Sequence, residues 1–509
     1  MAKDSEIELK LAIHPGDAAA FRRLSLLREK ALDGPRRSKM LSVYFDTPGL
    51  TLKQHAMALR LRKTGGKWLQ TLKAAGVAAG GLHQRAEWEY PLRAPQLDLA
   101  LFRETPLARL AQSKALHLTL KPAFTTEFYR TTWLVEMSPG QRVEVALDQG
   151  IIRCGTRESP ISEVEIELLE GSAATVFDVA LSLVGQIALQ PEILSKAERG
   201  YRLYQPEPLA PRRAGAVELT RMWSPGEAMQ AIVGACLDHF GANVEGALAS
   251  DDPEYIHQMR VALRRLRSAM RIFRPANARH IAAELKWLTA ELGGARDWDV
   301  LMTESLPLLL DDFGDPALAR ELMAAGTMRQ TDARKMARAA LASEREALLV
   351  MTIGRWANVP GELSLLPSHG VNGDDATRPP AMQSLHHLAS HEIRRRRRRL
   401  FRVRRALADL SAEARHRLRI DAKRLRYAVD FFSSLFDKDR AMRYATALGE
   451  IQDLLGEIND DTVAMHLVES LAPPRQFMDF ATAWFAARTH PKLAGIDQHL
   501  AELRNVKLF

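Results

Sequence analysis

Cysteine is nearly absent from this chain. Cys154 and Cys236, two residues among 509, cannot build a disulfide framework and point to a reducing compartment. The spaced cysteine pairs of a zinc finger are missing with them. Long apolar runs are lacking too. No stretch of about 18 uncharged apolar residues occurs, so no membrane span is expected. The opening MAKDSEIELK has no apolar signal core, and the expected location is the cytoplasm. Tyrosine and tryptophan number eight each. No RNA-binding signature and no basic groove interleaved with aromatics appears, so no specific nucleic-acid partner is expected. Charge of both signs is plentiful instead. Lys and Arg total 71 against 62 Asp and Glu, a net charge of +9. That balance permits a phosphate-rich partner without selecting one. At about 100–200 residues per domain the length implies two to four domains, and 46% hydrophobic residues is globular composition rather than disorder.

The first 200 residues alternate charge with apolar side chains. In Glu6-Ile7-Glu8-Leu9-Lys10 a period of two puts Glu6, Glu8 and Lys10 on one face of a strand. Leu59-Arg60-Leu61-Arg62 does the same with two guanidiniums, and Glu163-Val164-Glu165-Ile166-Glu167 with three carboxylates. Strands that turn both signs of charge towards one interior make a polar barrel or tunnel, and its natural contents are a polyanion and divalent metal. Further strands are predicted over 40–45, 68–73, 85–90, 128–136 and 142–151. Helices are predicted over 17–32 and 173–188, and a loose hairpin loop over the Ala- and Gly-rich 74–81. Polyanion binding calls for fixed cations, which Arg60 and Arg62 can give. Hard oxygen ligands for Mg²⁺ or Mn²⁺ are available from Glu6, Glu8, Glu163, Glu165 and Glu167. Glu87 and Asp148 can bind a cation or tune a lysine. Lys10 can pair with Glu8 or orient water. Arg36 and Arg37 stand near a possible entry with their side undetermined. Cys154 reads as ordinary, and His14 and His83 read as surface histidines.

An ordered set of motifs carries a resemblance. It runs through Glu6-x-Glu8-x-Lys10, Tyr44-Phe45-Asp46-Thr47, Leu59 to Lys63, Trp68 to Lys73, Arg85-x-Glu87-x-Glu89 and Ser195 to Tyr201. Together these resemble the CYTH superfamily of triphosphate tunnel metalloenzymes. The resemblance implies a closed eight-stranded antiparallel tunnel that hydrolyses the end of a triphosphate with Mg²⁺ or Mn²⁺. Members act on inorganic triphosphate, thiamine triphosphate or RNA 5′ ends, or cyclise ATP. The candidate phosphate ligands are then Arg60, Arg62, Lys73, Arg85, Arg130 and Lys196, all but Arg85 supported most directly by the resemblance, and Lys10, Glu8 and Lys196 take catalytic roles.

A hinge containing Pro206, Pro208 and Pro211 follows. The expected division is a tunnel domain over 1–203, a linker over 204–218 and a helical domain over 219–505, so the fold class is α+β multidomain. Helices are predicted over 226–240, 253–273, 277–299, 316–351, 381–410, 412–435, 439–464 and 476–487, with a break at Asp311 to Gly314 and a long connection over 360–380. The helical half repeats itself. His257, Arg260, Arg264, Arg267 and Phe273 recur at an offset of 159 as His416, Arg419, Lys423, Arg426 and Phe432. Each basic set falls at i, i+3, i+7 and i+10, one helix face. Leu292-Gly293 with Arg296-Asp297 returns as Leu455-Gly456 with Asn459-Asp460. Asp297, Asp299, Asp460 and Asp461 are expected to orient arginines or cap helices. These motifs resemble a CHAD domain, which implies an all-α pseudo-symmetric pair of four-helix bundles that binds inorganic polyphosphate, including at polyphosphate granules. The two basic faces are then the polyphosphate ligands. Six consecutive arginines, Arg394 to Arg399, point almost all round a helix and cannot all line one groove. The favoured reading is an inorganic triphosphatase with a polyphosphate-binding helical half. A polyphosphate-binding protein without turnover, a CYTH-type adenylate cyclase and an RNA-binding adaptor are the alternatives.

Overall fold

Alternating apolar and charged residues give nine strands in the computed structural model, which describes residues 2–79, 81–108, 119–275, 278–359, 384–402 and 407–506. The strands are β1 (Ala2–Ile13), β2 (Arg36–Asp46), β3 (Ala58–Thr64), β4 (Lys67–Ala79), β5 (Leu82–Leu92), β6 (Lys121–Ser138), β7 (Gln141–Cys154), β8 (Arg157–Glu170) and β9 (Leu189–Pro191). Their order is β5-β4-β3-β2-β6-β7-β8-β1-β9, and β5 also pairs with β1. That extra pairing closes β1 to β8 into an antiparallel barrel without free edges. Glu6 lies opposite Arg85 and Lys10 opposite Glu165 across the two seams of β1. β1 is buried on both sides. Leu9 and Leu11 are fully buried on one face of β1 while Glu8 and Lys10 are buried on the other.

The hairpin expected to be loose over 74–81 is ladder instead. β4 continues to Ala79, opposite Leu82, with a register shift between Lys73 and Gly76 that absorbs the small residues. The helix expected over 17–32 is broken. Short helices cover Ala18–Phe21 and Ser25–Lys30, and between them Leu24 is extended at ψ 142°.

Helices of eight or more residues are numbered in chain order. α1 (Ala173–Val184) and α2 (Lys196–Tyr204) follow the barrel strands. Then come α3 (Pro225–Gly241), α4 (Pro253–Phe273), α5 (Ala278–Val300), α6 (Leu306–Phe313), α7 (Pro316–Leu341), α8 (Glu344–Asn358), α9 (Leu385–Leu400), α10 (Ala412–Phe432), α11 (Lys438–Ser470) and α12 (Arg475–Asn505). The chain forms two compact units. One holds residues 1–210 and 342–359, the other 211–341 and 360–509.

The single helix expected over 316–351 is therefore two, assigned to different units. Ser343 is extended, and its hydroxyl caps α8 by accepting from the Glu346 N–H. In the first unit α8 packs on α1, where Arg355 pairs with Asp178 at 2.6 Å. Leu349, Met351 and Ile353 are buried there, together with Glu346.

The second unit is helical throughout its described regular structure. Gly314, at φ 78°, ends α6 in the left-handed region where the sequence break is expected. α10 with the turn after it covers the expected 412–435, whereas α11 runs on to Ser470 and α12 to Asn505 through Pro491. The expected connection over 360–380 lies outside the described residues. Repeat-related residues meet: the rings of Phe273 and Phe432 have centroids 5.9 Å apart.

Candidate active site

The barrel interior holds a cavity of about 420 Å³. Seven cations line it: Lys10, Arg60, Arg62, Lys73, Arg85, Arg130 and Lys196. Six carboxylates face them: Glu6, Glu8, Glu87, Glu89, Glu165 and Glu167. All six phosphate-binding candidates are thus on the wall together with Lys10. Of the five metal candidates four line the cavity. Glu163 does not. It is fully buried and contacts Lys196 and Arg199. Arg36 and Arg37 are outside, exposed on β2, where Arg36 pairs with Asp33 at 3.1 Å and Arg37 stacks over Tyr129.

Ammonium groups bridge carboxylates from neighbouring strands. Lys10 Nζ lies 2.9 Å from Glu8 and also contacts Glu165. Lys73 Nζ lies 2.6 Å from Glu6 and 3.1 Å from Glu87. Lys196 Nζ lies 2.6 Å from Asp148 and 3.0 Å from Glu165, and also contacts Glu163. Arg130 holds Asp148 through two nitrogens, at 2.8 and 2.6 Å, and contacts Glu165. Asp148 is the residue that makes this corner. It is completely buried and pairs with Lys196, in line with the expectation that it could tune a lysine.

Lys196 is placed by its helix start. Ser195 and Glu198 form a capping box that fixes the first turn of α2. Gly200 then lets α2 approach β6. A Cβ there would lie 2.1 Å from the Phe124 ring. Phe124 in turn stacks on Tyr44, with centroids 4.5 Å apart, and meets Tyr201 edge-on at 5.1 Å.

Charge and burial set the protonation states. Burial pulls the Lys10 ammonium down, but Glu165 and Glu8 outweigh it and hold it above its ordinary value. Lys196 is raised in the same way by Asp148 and Glu163 against burial. Burial pushes Glu165 up, yet Lys10, Lys196 and Arg130 hold it well below the usual carboxylate range. Glu87 is brought down to about 2, with Lys73 and Arg60 overcoming burial. These groups are all charged at neutral pH. Arg62 differs. Burial first, then the neighbouring Arg60 and Arg130, bring it down to about 10. Among the described residues it has no hydrogen bond or ion pair, and its Nε is shut from solvent.

His83 corrects the surface reading. It is 1% exposed on β5, opposite Glu8, and burial together with Lys10 and Arg85 brings it down to about 4. Closure of β5 onto β1 buries it, and closure is invisible in a lone histidine. His14 is exposed as expected, and Cys154 is a buried thiol whose Sγ lies 3.4 Å from the Ala123 carbonyl.

The donor set around the cavity is all oxygen, which fits a hard divalent ion. At both Lys73 and Lys10 one cation is shared by carboxylates of different strands, the chemistry such an ion takes. Carboxylate oxygens of Asp148, Glu163 and Glu165 also lie within 4.8 Å of one another. That group is answered by Lys196, Arg130 and Lys10, as Glu6, Glu8 and Glu87 on the cavity wall are by Lys73 and Lys10.

The second unit carries the two basic helix faces. Arg260 on α4 lies 3.7 Å from Asp297 and donates to the Thr289 carbonyl at 3.3 Å. Arg419 on α10 contacts Asn459. Arg264 on α4 lies close enough to press on Lys423 and Arg419 of α10. The Nε atoms of Arg264 and Arg419 are shut from solvent without a partner. His257, Arg267 and Arg426 are part-buried on the same faces, with Arg426 taken by Asp430 at 2.9 Å, while His416 is exposed. The carboxylates mostly orient cations: Asp299 takes Arg334 at 2.7 Å and Asp461 takes Lys492 at 2.7 Å. The arginine run divides as its helix dictates. Arg396 is buried on Glu392, Arg397 donates to the Arg504 carbonyl, and Arg394, Arg398 and Arg399 are exposed.

Comparison with known proteins matches both halves. Residues 4–201 match the CYTH domain and residues 231–469 the CHAD domain. An inorganic triphosphatase of Haemophilus influenzae is 36% identical over 205 residues, which are 39% of this chain and 54% of that protein. The chain thus spans about half the length of that curated relative. The crystal structure of the CHAD domain from the plant Ricinus communis aligns at 32% identity and a TM-score of 0.49, over 59% of this chain and 98% of that one. A Hippeastrum protein described as revealing a dominant triphosphatase activity aligns at 18% identity and a TM-score of 0.29, over 38% of this chain and 96% of that one. Among the described residues no helix is long and apolar enough to cross a membrane.

Proposed function

Because the chain carries a CYTH domain followed by a CHAD domain, we propose that it hydrolyses inorganic triphosphate to pyrophosphate and phosphate with a divalent metal, and that its helical half binds inorganic polyphosphate in the cytoplasm. The observation that carries the first part is Arg62. A part-buried guanidinium beside Arg60 and Arg130, its Nε shut from solvent without a partner, is a cost to the empty protein that a bound polyanion removes. Arg60, Arg62, Arg85 and Arg130 bind the phosphates, and Lys73 and Lys196 complete the cradle. Glu6, Glu8 and Glu87 would hold Mg²⁺ or Mn²⁺, with Glu165 and Glu167 facing the same space. The ion supplies charge neutralisation and lowers the pKa of attacking water. Lys10, kept charged by Glu8 and Glu165, fixes the orientation of the Glu8 carboxylate. No side chain needs to form a covalent bond to phosphorus.

The helical half is read as two pseudo-symmetric bundles related by the 159-residue offset. The Phe273–Phe432 contact supports it. Seven cations against six carboxylates make the tunnel nearly neutral, so a triphosphate needs the metal charge as well as the arginines. The test is product analysis with purified full-length protein, Mg²⁺ or Mn²⁺, and triphosphate or ATP. Phosphate and pyrophosphate from triphosphate, with little from ATP, are expected. Cyclic AMP and pyrophosphate from ATP would make it a cyclase, and tight polyphosphate binding with no turnover a binding protein.

A further inference from the structure

His83 and Arg85 stand two positions apart on β5, so their side chains leave the same face of the strand. Across the seam with β1 they lie opposite Glu8 and Glu6. Arg85 lines the cavity, and one of its terminal nitrogens is hydrogen-bonded to His83 Nδ1. A guanidinium can only donate. Nδ1 is therefore the acceptor, and the imidazole is neutral with its proton on Nε2. That Nε2–H is shut from solvent and, among the described residues, has no partner. An unpaired buried donor costs stability, and a side chain needed for packing alone would be apolar here. What the histidine adds is the acceptor on the other side of its ring.

That acceptor is uncharged. Five of the seven cavity cations are held by carboxylates: Lys10 by Glu8, Lys73 by Glu6, Arg60 by Glu87, and both Arg130 and Lys196 by Asp148. Arg85 is held differently. Glu198 Oε2 lies 4.0 Å from it, beyond a hydrogen bond. The same oxygen is committed to the start of α2, where it accepts from the Ser195 N–H at 2.8 Å and from the Ser195 hydroxyl at 2.6 Å. A neutral acceptor fixes the direction of a guanidinium without cancelling its charge.

We propose that His83 is a positioning residue for substrate: its Nδ1 holds Arg85 in place on the cavity wall and leaves the guanidinium charge for a phosphate group. The inference rests on the triphosphatase reading above. His83 itself is not on the cavity wall, so it acts through Arg85. Arg62 is the unpartnered arginine of the wall, and Arg85 is the oriented but unneutralised one.

Initial rates of Mg²⁺-dependent phosphate release from triphosphate by the full-length protein, with thermal unfolding alongside, test this. An asparagine places its amide oxygen where Nδ1 stands, whereas a glutamine reaches the Nε2 position instead. His83→Gln and His83→Leu are expected to raise KM about tenfold, the scale of one hydrogen bond to a charged group, with kcat nearly kept because the lost interaction is a binding one. His83→Asn should restore most of the affinity. In an Arg85→Met background His83→Leu should change KM no further, since the two residues act as one unit. The melting temperature of His83→Leu should hold, because an unpaired buried donor has gone. Equal KM in wild type, His83→Gln and His83→Leu overturns the inference while leaving the triphosphatase intact, as does an undiminished effect of His83→Leu in the Arg85→Met background. No phosphate release by wild type overturns the triphosphatase reading and the inference together.

Discussion

Lys73 Nζ lies 2.6 Å from Glu6 Oε2, although β5 separates their strands in the sheet order and 67 positions separate them in the sequence. The contact exists because the barrel is closed. The substrate-free interior is therefore a set of internal ion pairs, and a ligand must compete with them. Arg62 stands outside that pairing, which divides the predicted effects of mutation.

Removing the unpaired cation separates stability from activity. Arg62→Ala is expected to lower kcat/KM for triphosphate at least about 100-fold, the scale of one lost charge-stabilising donor. The melting temperature of the substrate-free protein should hold or rise by a few degrees, because a buried like-charge contact is gone. Thermal unfolding alongside initial rates checks it; a large loss of stability would show that Arg62 has a structural partner.

Removing a shared carboxylate should do the opposite. Glu165→Gln leaves Lys10, Lys196 and Arg130 short of a counter-charge in a buried place. A destabilisation of about 3–5 kcal/mol is expected, measured by urea unfolding. A loss under about 1 kcal/mol would mean that water and neighbouring carboxylates replace it fully.

Gly200→Ala probes the seating of α2. Its new methyl would sit 2.1 Å from the Phe124 ring, so Phe124 or the helix must shift. A loss of about 1–3 kcal/mol is expected, with lower activity because Lys196 starts the same helix. A neutral result in both would show that the Phe124–Tyr44 stack can yield.

Glu346 gives a pH-dependent prediction. Burial alone pushes this carboxyl up to about 8, and its Oε2 has no hydrogen-bond partner. A folded-state value above the unfolded one makes folding progressively less favourable as pH rises from the unfolded value towards 8. Glu346→Gln should therefore stabilise the protein little at pH 4.5 and by about 4 kcal/mol at pH 8. Unfolding at both pH values measures it; an equal effect at the two would locate the benefit in packing rather than ionisation.

Much of this was legible in the sequence because period-two alternation directly reports which side chains share a barrel face. Glu6, Glu8, Lys10, Arg60 and Arg62 all appear where alternation puts them. The repeat-related histidines and arginines were legible for the same reason at helical period. What alternation does not report is depth along the tunnel. Glu163 and Glu165 share a face, yet Glu163 lies beneath the cavity with Asp148. Nor does a local pattern reveal closure, which buries His83. The boundary at Ser343 had a local signal, a serine three residues before Glu346, but a continuous apolar pattern on both sides masked it. That this short segment belongs with the first unit depends on tertiary packing, including Arg355 on Asp178, and has no signature of its own.

The most direct test of the division of labour is Glu8→Gln in the full-length protein, assayed for Mg²⁺-dependent phosphate release from triphosphate and for polyphosphate binding at fixed salt. Turnover should fall to background while the Kd for polyphosphate stays within about twofold, a difference below about 0.5 kcal/mol. Retained turnover would contradict the assignment of the tunnel carboxylates to the reaction, and lost polyphosphate binding would contradict the assignment of that binding to the helical half.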